Sequence, residues 1–295
     1  MLIAVALMWG SAYLFSEVGL EDLSPTVITA GRLLVGTLVL ASFPSARGHV
    51  DREDWPRIVA LGIIWVAIPF TLFPIAQQWI DSALTGMLNG ANPLFAALIA
   101  TALLRHRPGR SQITGLAVGF FGVLAISWPA VRDSDGTSTA LGIALVLLAL
   151  FCYALALNLS VPLTQHYGGP PVMLRMLVVG CIATAPLGLA GLPSSTFTAR
   201  AVVAIVVLGA GASAIAFVTM ARLASRVGAT RASVAVYFIP VVAVILGVTL
   251  LDETVATLSL AGLALVLAGA WLVSREEQRV LDDEHAGPPP LAEGI

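Results

Sequence analysis

Pro93–Gly122 reads PLFAALIATALLRHRPGRSQITGLAVGFFG, and Pro240–Gly269 reads PVVAVILGVTLLDETVATLSLAGLALVLAG. Laid over each other without a gap, they match at Pro93/Pro240, Leu103-Leu104/Leu250-Leu251, Gly115/Gly262 and Gly122/Gly269. A slightly smaller offset places Arg32 on Arg175 and Trp55-Pro56-Arg57 on Thr198-Ala199-Arg200, which carries the copy back through the preceding segments. The chain therefore reads as two homologous halves, 1–128 and 140–275. A repeat of this length fixes architecture before local propensity does.

Composition names the solvent. Of 295 residues, 58% are hydrophobic and only 11% charged, with mean hydropathy +0.94. Soluble domains carry roughly 25% charged residues, so a chain this poor in charge has too little polar surface to face water and most of it belongs in a lipid bilayer. All 15 basic residues are arginine and the net charge is −2, which leaves no basic patch for nucleic acid. Cys152 and Cys181 lie within apolar runs and read as small packing residues, with no disulfide or metal expected. The apolar start, Leu2 to Leu20, has no basic region before it and no small-residue cleavage site. It reads as a retained span with a clipped or very short leader.

Cutting at charge clusters and Pro/Gly breaks yields ten apolar segments: 2–20, 25–44, 56–78, 83–104, 111–129, 140–162, 171–192, 200–222, 231–251 and 255–274. Each is long enough to cross about 30 Å of hydrocarbon as a helix. They are rich in Ala and Leu and lack the alternation of a membrane barrel. With the N-terminus in the cytoplasm, inner connections and tail hold eleven arginines (47, 52, 57, 105, 107, 110, 222, 226, 231, 275 and 279) against Arg132 and Arg200 outside. Arginine is retained on the cytoplasmic side, so both termini are expected there. Five spans per half is an odd number, which predicts that the second half enters the membrane inverted. Arg105-His106-Arg107 aligning with Asp252-Glu253-Thr254 agrees with that: one loop is basic, its counterpart acidic. The expected fold is all-α and integral to the membrane, ten transmembrane helices as two inverted five-helix repeats. The acidic tail 276–295, with Pro288-Pro289-Pro290, is expected to be disordered.

Trp9-Gly10-Ser11, Asn92-Pro93-Leu94-Phe95 and the glycine pairs Gly115/Gly122 and Gly262/Gly269 resemble the drug/metabolite transporter superfamily, specifically its ten-span EamA family. The resemblance covers about residues 2 to 275, with departures at Ala12 and Glu17. It implies an inner-membrane exporter of amino acids, related metabolites or drugs, with a central cavity between the halves. A translocator of drugs or lipid intermediates is the alternative within transport, and a membrane enzyme or scaffold the alternative outside it.

Inverted-repeat transporters bind near mid-membrane, where helices are interrupted at matching points. Pro93 and Pro240 are the expected helix breaks, each freeing a carbonyl one turn upstream. Asn89 and Asn92 flank the first break and would form a polar floor for a zwitterionic or amide-bearing substrate; the alternative is bonding to neighbouring helices. Trp9, Tyr13, Tyr153 and Tyr237 supply amphipathic rings and Asn158 a further amide for a small-molecule cavity. Ionisable groups inside spans are expensive enough to suggest function. Arg32 lies about 10 Å into span 2 at 1.5 Å per residue, and Glu17 lies at similar depth in span 1. The two can pair, and Glu17 is a candidate for proton coupling, against the plainer reading of an interfacial carboxylate beside Glu21 and Asp22. Arg175, nearer its span's end, reads as a snorkelling anchor. The glycine pairs on spans 5 and 10 predict close helix contact, within one chain or across a homodimer. His49, His106, His166 and His285 all lie in loops or the tail, no HExxH or GxSxG occurs, and no phosphate loop with lysine is present. No catalytic role and no cofactor are expected.

The inverted arrangement makes a direct prediction. Single cysteines at His106 and at Asp252, in a background without Cys152 and Cys181, should label with a membrane-impermeant thiol reagent from opposite sides of the bilayer. Labelling from the same side refutes the inversion.

Overall fold

The structure is a computed structural model that describes residues 1–104, 109–133 and 136–286 of the chain. Ten helices are long and apolar enough to cross a membrane. They are α1 (Leu2–Leu20), α2 (Pro25–Ser42), α3 (Arg52–Ala76), α4 (Ser82–Ala102), α5 (Arg110–Arg132), α6 (Gly136–Tyr167), α7 (Gly169–Ser194), α8 (Ala199–Val227), α9 (Arg231–Leu250) and α10 (Thr257–Arg275). No strand occurs among the described residues. Large side chains such as Phe120, Phe121, Trp128, Ile182, Leu189 and Trp271 are exposed on the perimeter, as expected where the solvent is hydrocarbon.

Several helices depart from the expected runs. Helix α6 continues through Pro162 to Tyr167, and its 32 residues reach about 48 Å at 1.5 Å per residue, well beyond the hydrocarbon. The helix containing α10 continues to Ala286, so the first part of the tail expected to be disordered is helical. Its Glu, Gln, Arg and Leu residues are good helix formers. The rest of that tail, 287–295, lies outside the described residues, as does His106. Helix α4 is interrupted at Gly90–Ala91, between Asn89 and Asn92, where Gly90 and Ala91 donate to carbonyls only three residues back, those of Met87 and Leu88. At Pro240 the expected break is absent, and the helix runs unbroken from Ala229 to Leu250. Gly10 of α1 packs closely on that helix beside the proline, against Ile239 O and Val242.

The sequence gives no sign of two widened turns. Helix α3 is π-helical over Gly62–Ala67 and α8 over Val207–Ile215. In α3 the widened ladder ends just before Pro69, which has no N–H and presses on the preceding turn. In α8 the segment contains Gly209 and Gly211.

Glycine sets the closest helix approaches. A Cβ on Gly115 would lie 2.7 Å from Gly269 O, and one on Gly122 would lie 2.7 Å from Gly262 O. Helices α5 and α10 thus run antiparallel in backbone contact within one chain. Gly62 lies against Met176 O and Val179 of α7, and Gly209 against Arg32 O and Val35 of α2. Helix α2 also packs on α7 and α4 on α9, while α1 packs on α8 and α9, and α6 on α3 and α4.

In the glycine seam there is no space for a methyl group. Gly122→Ala and Gly262→Ala are each expected to lower stability by about 1–3 kcal/mol, read from unfolding in detergent. Gly169→Ala, where nothing lies within 4 Å of the new Cβ, should stay within about 0.5 kcal/mol.

Candidate functional site

The site begins with a carbonyl that a proline leaves free. Pro74 has no N–H for the carbonyl four residues back, that of Phe70. Thr29 of α2 fills the gap: its hydroxyl lies 2.8 Å from Phe70 O and 3.0 Å from Pro25 O. Thr29 is 1% exposed, so this bond is made out of water, where an unpaired carbonyl is costly. It also fixes the register of α2 against α3. Arg32, three residues on and thus on the same face, is brought over the Phe70 ring with its Cζ 4.0 Å from the centroid.

The π-segment of α8 completes the arrangement from the other side. Ser213 donates to Leu208 O five residues back at 3.0 Å and accepts from Arg32 Nε at 2.7 Å. Trp9 Nε1 of α1 donates to Ala212 O at 3.1 Å, and its ring meets Phe217 edge-on at 5.4 Å. Tyr13 packs edge-on to Phe73 at 5.7 Å; Tyr153 of α6 lies 6.3 Å from Phe70 and 5.7 Å from Phe73. Tyr13 and Tyr153 are electrostatic neighbours of Arg32. Five helices thus converge on one guanidinium within an aromatic wall.

Of the residues singled out from sequence, Trp9, Tyr13, Arg32 and Tyr153 belong to this cluster. Asn158 instead ties α6 to α4, donating to Ala96 O at 3.1 Å and to Ala154 O at 2.9 Å. Tyr237 ties α9 to α10 through Ala270 O at 3.2 Å and Ser274 Oγ at 2.6 Å. Both make the helix-to-helix bonds that are the usual use of polar groups in membranes. Glu17 does not pair with Arg32. It accepts from Gln77 Nε2 at 3.1 Å, the same amide donates to Tyr13 O at 2.9 Å, and its acidic neighbours are Glu253, Asp81 and Glu21. Equal depth in two helices does not bring side chains together when their faces diverge. Arg175 donates to Pro171 O and Gly48 O at 2.9 and 2.7 Å, at the end of its span.

Among the described residues five buried side-chain oxygens have no hydrogen-bond partner: Oδ1 of Asn89, Oδ1 of Asn92, Oε1 of Gln77 and the hydroxyls of Ser16 and Thr37. The two asparagines bracket the interruption of α4. One turn before Asn89, Gly86 lies against Tyr13, with its Cβ position 3.3 Å from Cδ2.

One end of the bundle is tied across the halves. Glu253, after α9, holds the N-terminus of α4: Oε1 accepts from Ser82 N at 3.0 Å and Ser82 Oγ at 2.7 Å, and Oε2 accepts from Ala83 N at 2.8 Å. These are donors a helix start otherwise leaves free. Asp22 accepts from Thr196 N at 2.7 Å and Thr198 Oγ1 at 2.5 Å, and Arg200 pairs with Glu21. Asp81 at this rim is pushed above the ordinary carboxylate range, first by desolvation and then by Glu253. A cavity of about 460 Å³ opens here between α4, α5, α6 and α10, lined by Asp81, Leu84, Met87, Thr139 and Ser259 among others. It does not include the aromatic cluster. Sequence reading missed Thr29, Phe73, Gln77, Ser213 and Glu253. Pro74 four residues after Phe70 was the signal for the first of these.

The profile of the EamA-like transporter family matches residues 1–128 and 140–275. An uncharacterized transporter of Archaeoglobus fulgidus is 26% identical over 268 residues, 91% of this chain and 95% of its own. A probable terminal-alkyne amino-acid exporter of Streptantibioticus cattleyicolor is 26% identical over 283 residues, 93% of this chain and 92% of its own. The uncharacterized inner membrane transporter YedA of Escherichia coli is 25% identical over 282 residues, 92% of this chain and 89% of its own. A solved crystal structure at 19% identity superposes with a TM-score of 0.67 over 95% of this chain and 96% of that one, a likeness of fold.

The Glu253 cap is testable on its own. Glu253→Ala removes three bonds to a helix start and is expected to cost about 2 kcal/mol of stability, with Glu253→Gln costing less because one acceptor remains. Thermal unfolding of the purified variants reads both.

Proposed function

Because the chain belongs to the EamA-like transporter family and is a multi-pass membrane protein, we propose that it is a secondary exporter of a small metabolite, an amino acid in the first instance, working by alternating access. The observation that carries this reading is the set of buried, unpartnered acceptors at the interruption of α4, Asn89 Oδ1 and Asn92 Oδ1, with Gln77 Oε1 nearby in sequence. Asn158, by contrast, spends its amide N–H groups on Ala96 O and Ala154 O. Acceptors left over inside a membrane protein suit a gap that water or a ligand fills in another state. The relative named as an amino-acid exporter supports the substrate class.

Two inverted halves are supported by contacts that recur in pairs. Gly115 meets Gly269 as Gly262 meets Gly122, and Gly62 meets α7 as Gly209 meets α2. The arginine distribution supports an inner-membrane orientation with both termini cytoplasmic. At the rim assigned to the outside, Glu253 ties the loop after α9 to the start of α4. Glu17, beside Gln77 at the outer end of α1, is the proton-coupling group in this reading.

The test is flux in proteoliposomes with a panel of amino acids. The wild-type protein should show saturable counterflow of at least one panel member, and an imposed proton gradient should drive its uphill movement. Glu17→Gln should keep counterflow while losing the response to the gradient. Equal gradient-driven rates in variant and wild type remove Glu17 from coupling, and no flux with any panel member removes the amino-acid assignment.

A further inference from the structure

We infer that Arg32 is the recognition point for an acidic group on the transported molecule, and that the substrate is a small monocarboxylate. This deepens the transport reading and rests on it. A guanidinium keeps its charge at any physiological pH and presents five N–H donors in a rigid fork. Here Nε is used by Ser213, and the plane is covered on one face by Phe70. No carboxylate lies within ion-pair distance among the described residues. Glu17 of the adjoining α1 is turned to Gln77 instead.

A charge held inside a membrane protein without a counter-ion is expensive, and such groups mark substrate or ion pathways. Evidence that the chain is built around this point is independent of the charge itself. Both π-helical segments adjoin it: Ser213 lies within the one in α8, and Phe70 follows three residues after the one in α3. Widened turns of this kind gather at functional sites. Ser213 holds the arginine directly through Nε, and Thr29 fixes the backbone of Phe70, the ring over which the guanidinium lies.

The remaining edge of the fork, the two terminal nitrogens, matches the two oxygens of a carboxylate. One cation balances one negative charge, so a carboxylate is neutralised, while a phosphate ester would keep an uncompensated charge in a site walled by Phe70, Phe73, Tyr13 and Tyr153.

Binding is measured on the purified full chain by isothermal titration with phenylacetate and isobutyrate against phenylacetamide and isobutyramide, which keep the shape and lose the charge. Wild type is expected to bind at least one acid, with its amide weaker by about tenfold or more. Arg32→Gln should bring the acid down to the amide's affinity, and Arg32→Lys should keep part of the difference because the charge remains without the fork. A monodisperse Arg32→Lys with wild-type melting guards against misfolding. Equal binding of acid and amide, undiminished acid binding by Arg32→Gln, or no binding of either acid overturns the inference. The two readings separate cleanly: flux of uncharged substrates untouched by Arg32→Gln leaves transport standing without this site. Acid binding lost in Arg32→Gln but never accompanied by flux leaves the site and removes transport.

Discussion

In hydrocarbon every backbone N–H and C=O has to find its partner inside the protein, because no water stands ready to replace one that is missing. A regular helix meets that demand by itself. This chain breaks its helices in several places near the centre and meets the demand there with side chains. Thr29 answers the carbonyl freed by Pro74, Trp9 answers one in the widened turn of α8, and Ser213 answers another while steering Arg32. The side chains of the aromatic cluster around Arg32 are positioned by these repairs. An arginine at the same depth on an unbroken, self-sufficient bundle would have no hydroxyl to orient it.

Most of the architecture was legible from periodicity, charge and self-similarity. Long apolar runs bounded by arginine, proline and glycine give spans because length and hydropathy are one-dimensional quantities. Glycines repeated at Gly115/Gly122 and Gly262/Gly269 pointed to close contact, and the structure places that contact between α5 and α10 of one chain. What escaped was mostly angular. Glu17 and Arg32 share a depth, yet their helices present them to different neighbours, a rotation that spacing alone does not encode. Pro93 and Pro240 share a repeat position, yet one adjoins an interruption and the other sits in a continuous helix. Gly90, a poor helix former, stands three residues before the first proline, where Tyr237 stands before the second.

The π-segments carry the same lesson at finer scale. Their hydrogen bonds shift by one residue, which composition barely registers, but that shift rotates everything after it by about 100° relative to an uninterrupted helix. In α8 the shift aims Ser213 at α2. In α3 it decides the face on which Phe70 emerges. Tyr153 and Trp9 then need only ordinary helix geometry to complete the wall.

Where α5 and α10 touch, glycines bring main chain against main chain, with Ala125, Val266, Leu272 and Val273 packed close around them. A joint of that kind resists shear, so the pair acts as a fixed keel. Leu94, two residues past the Asn89–Asn92 interruption of α4, is lodged against Gly119, which ties the second part of α4 to that keel.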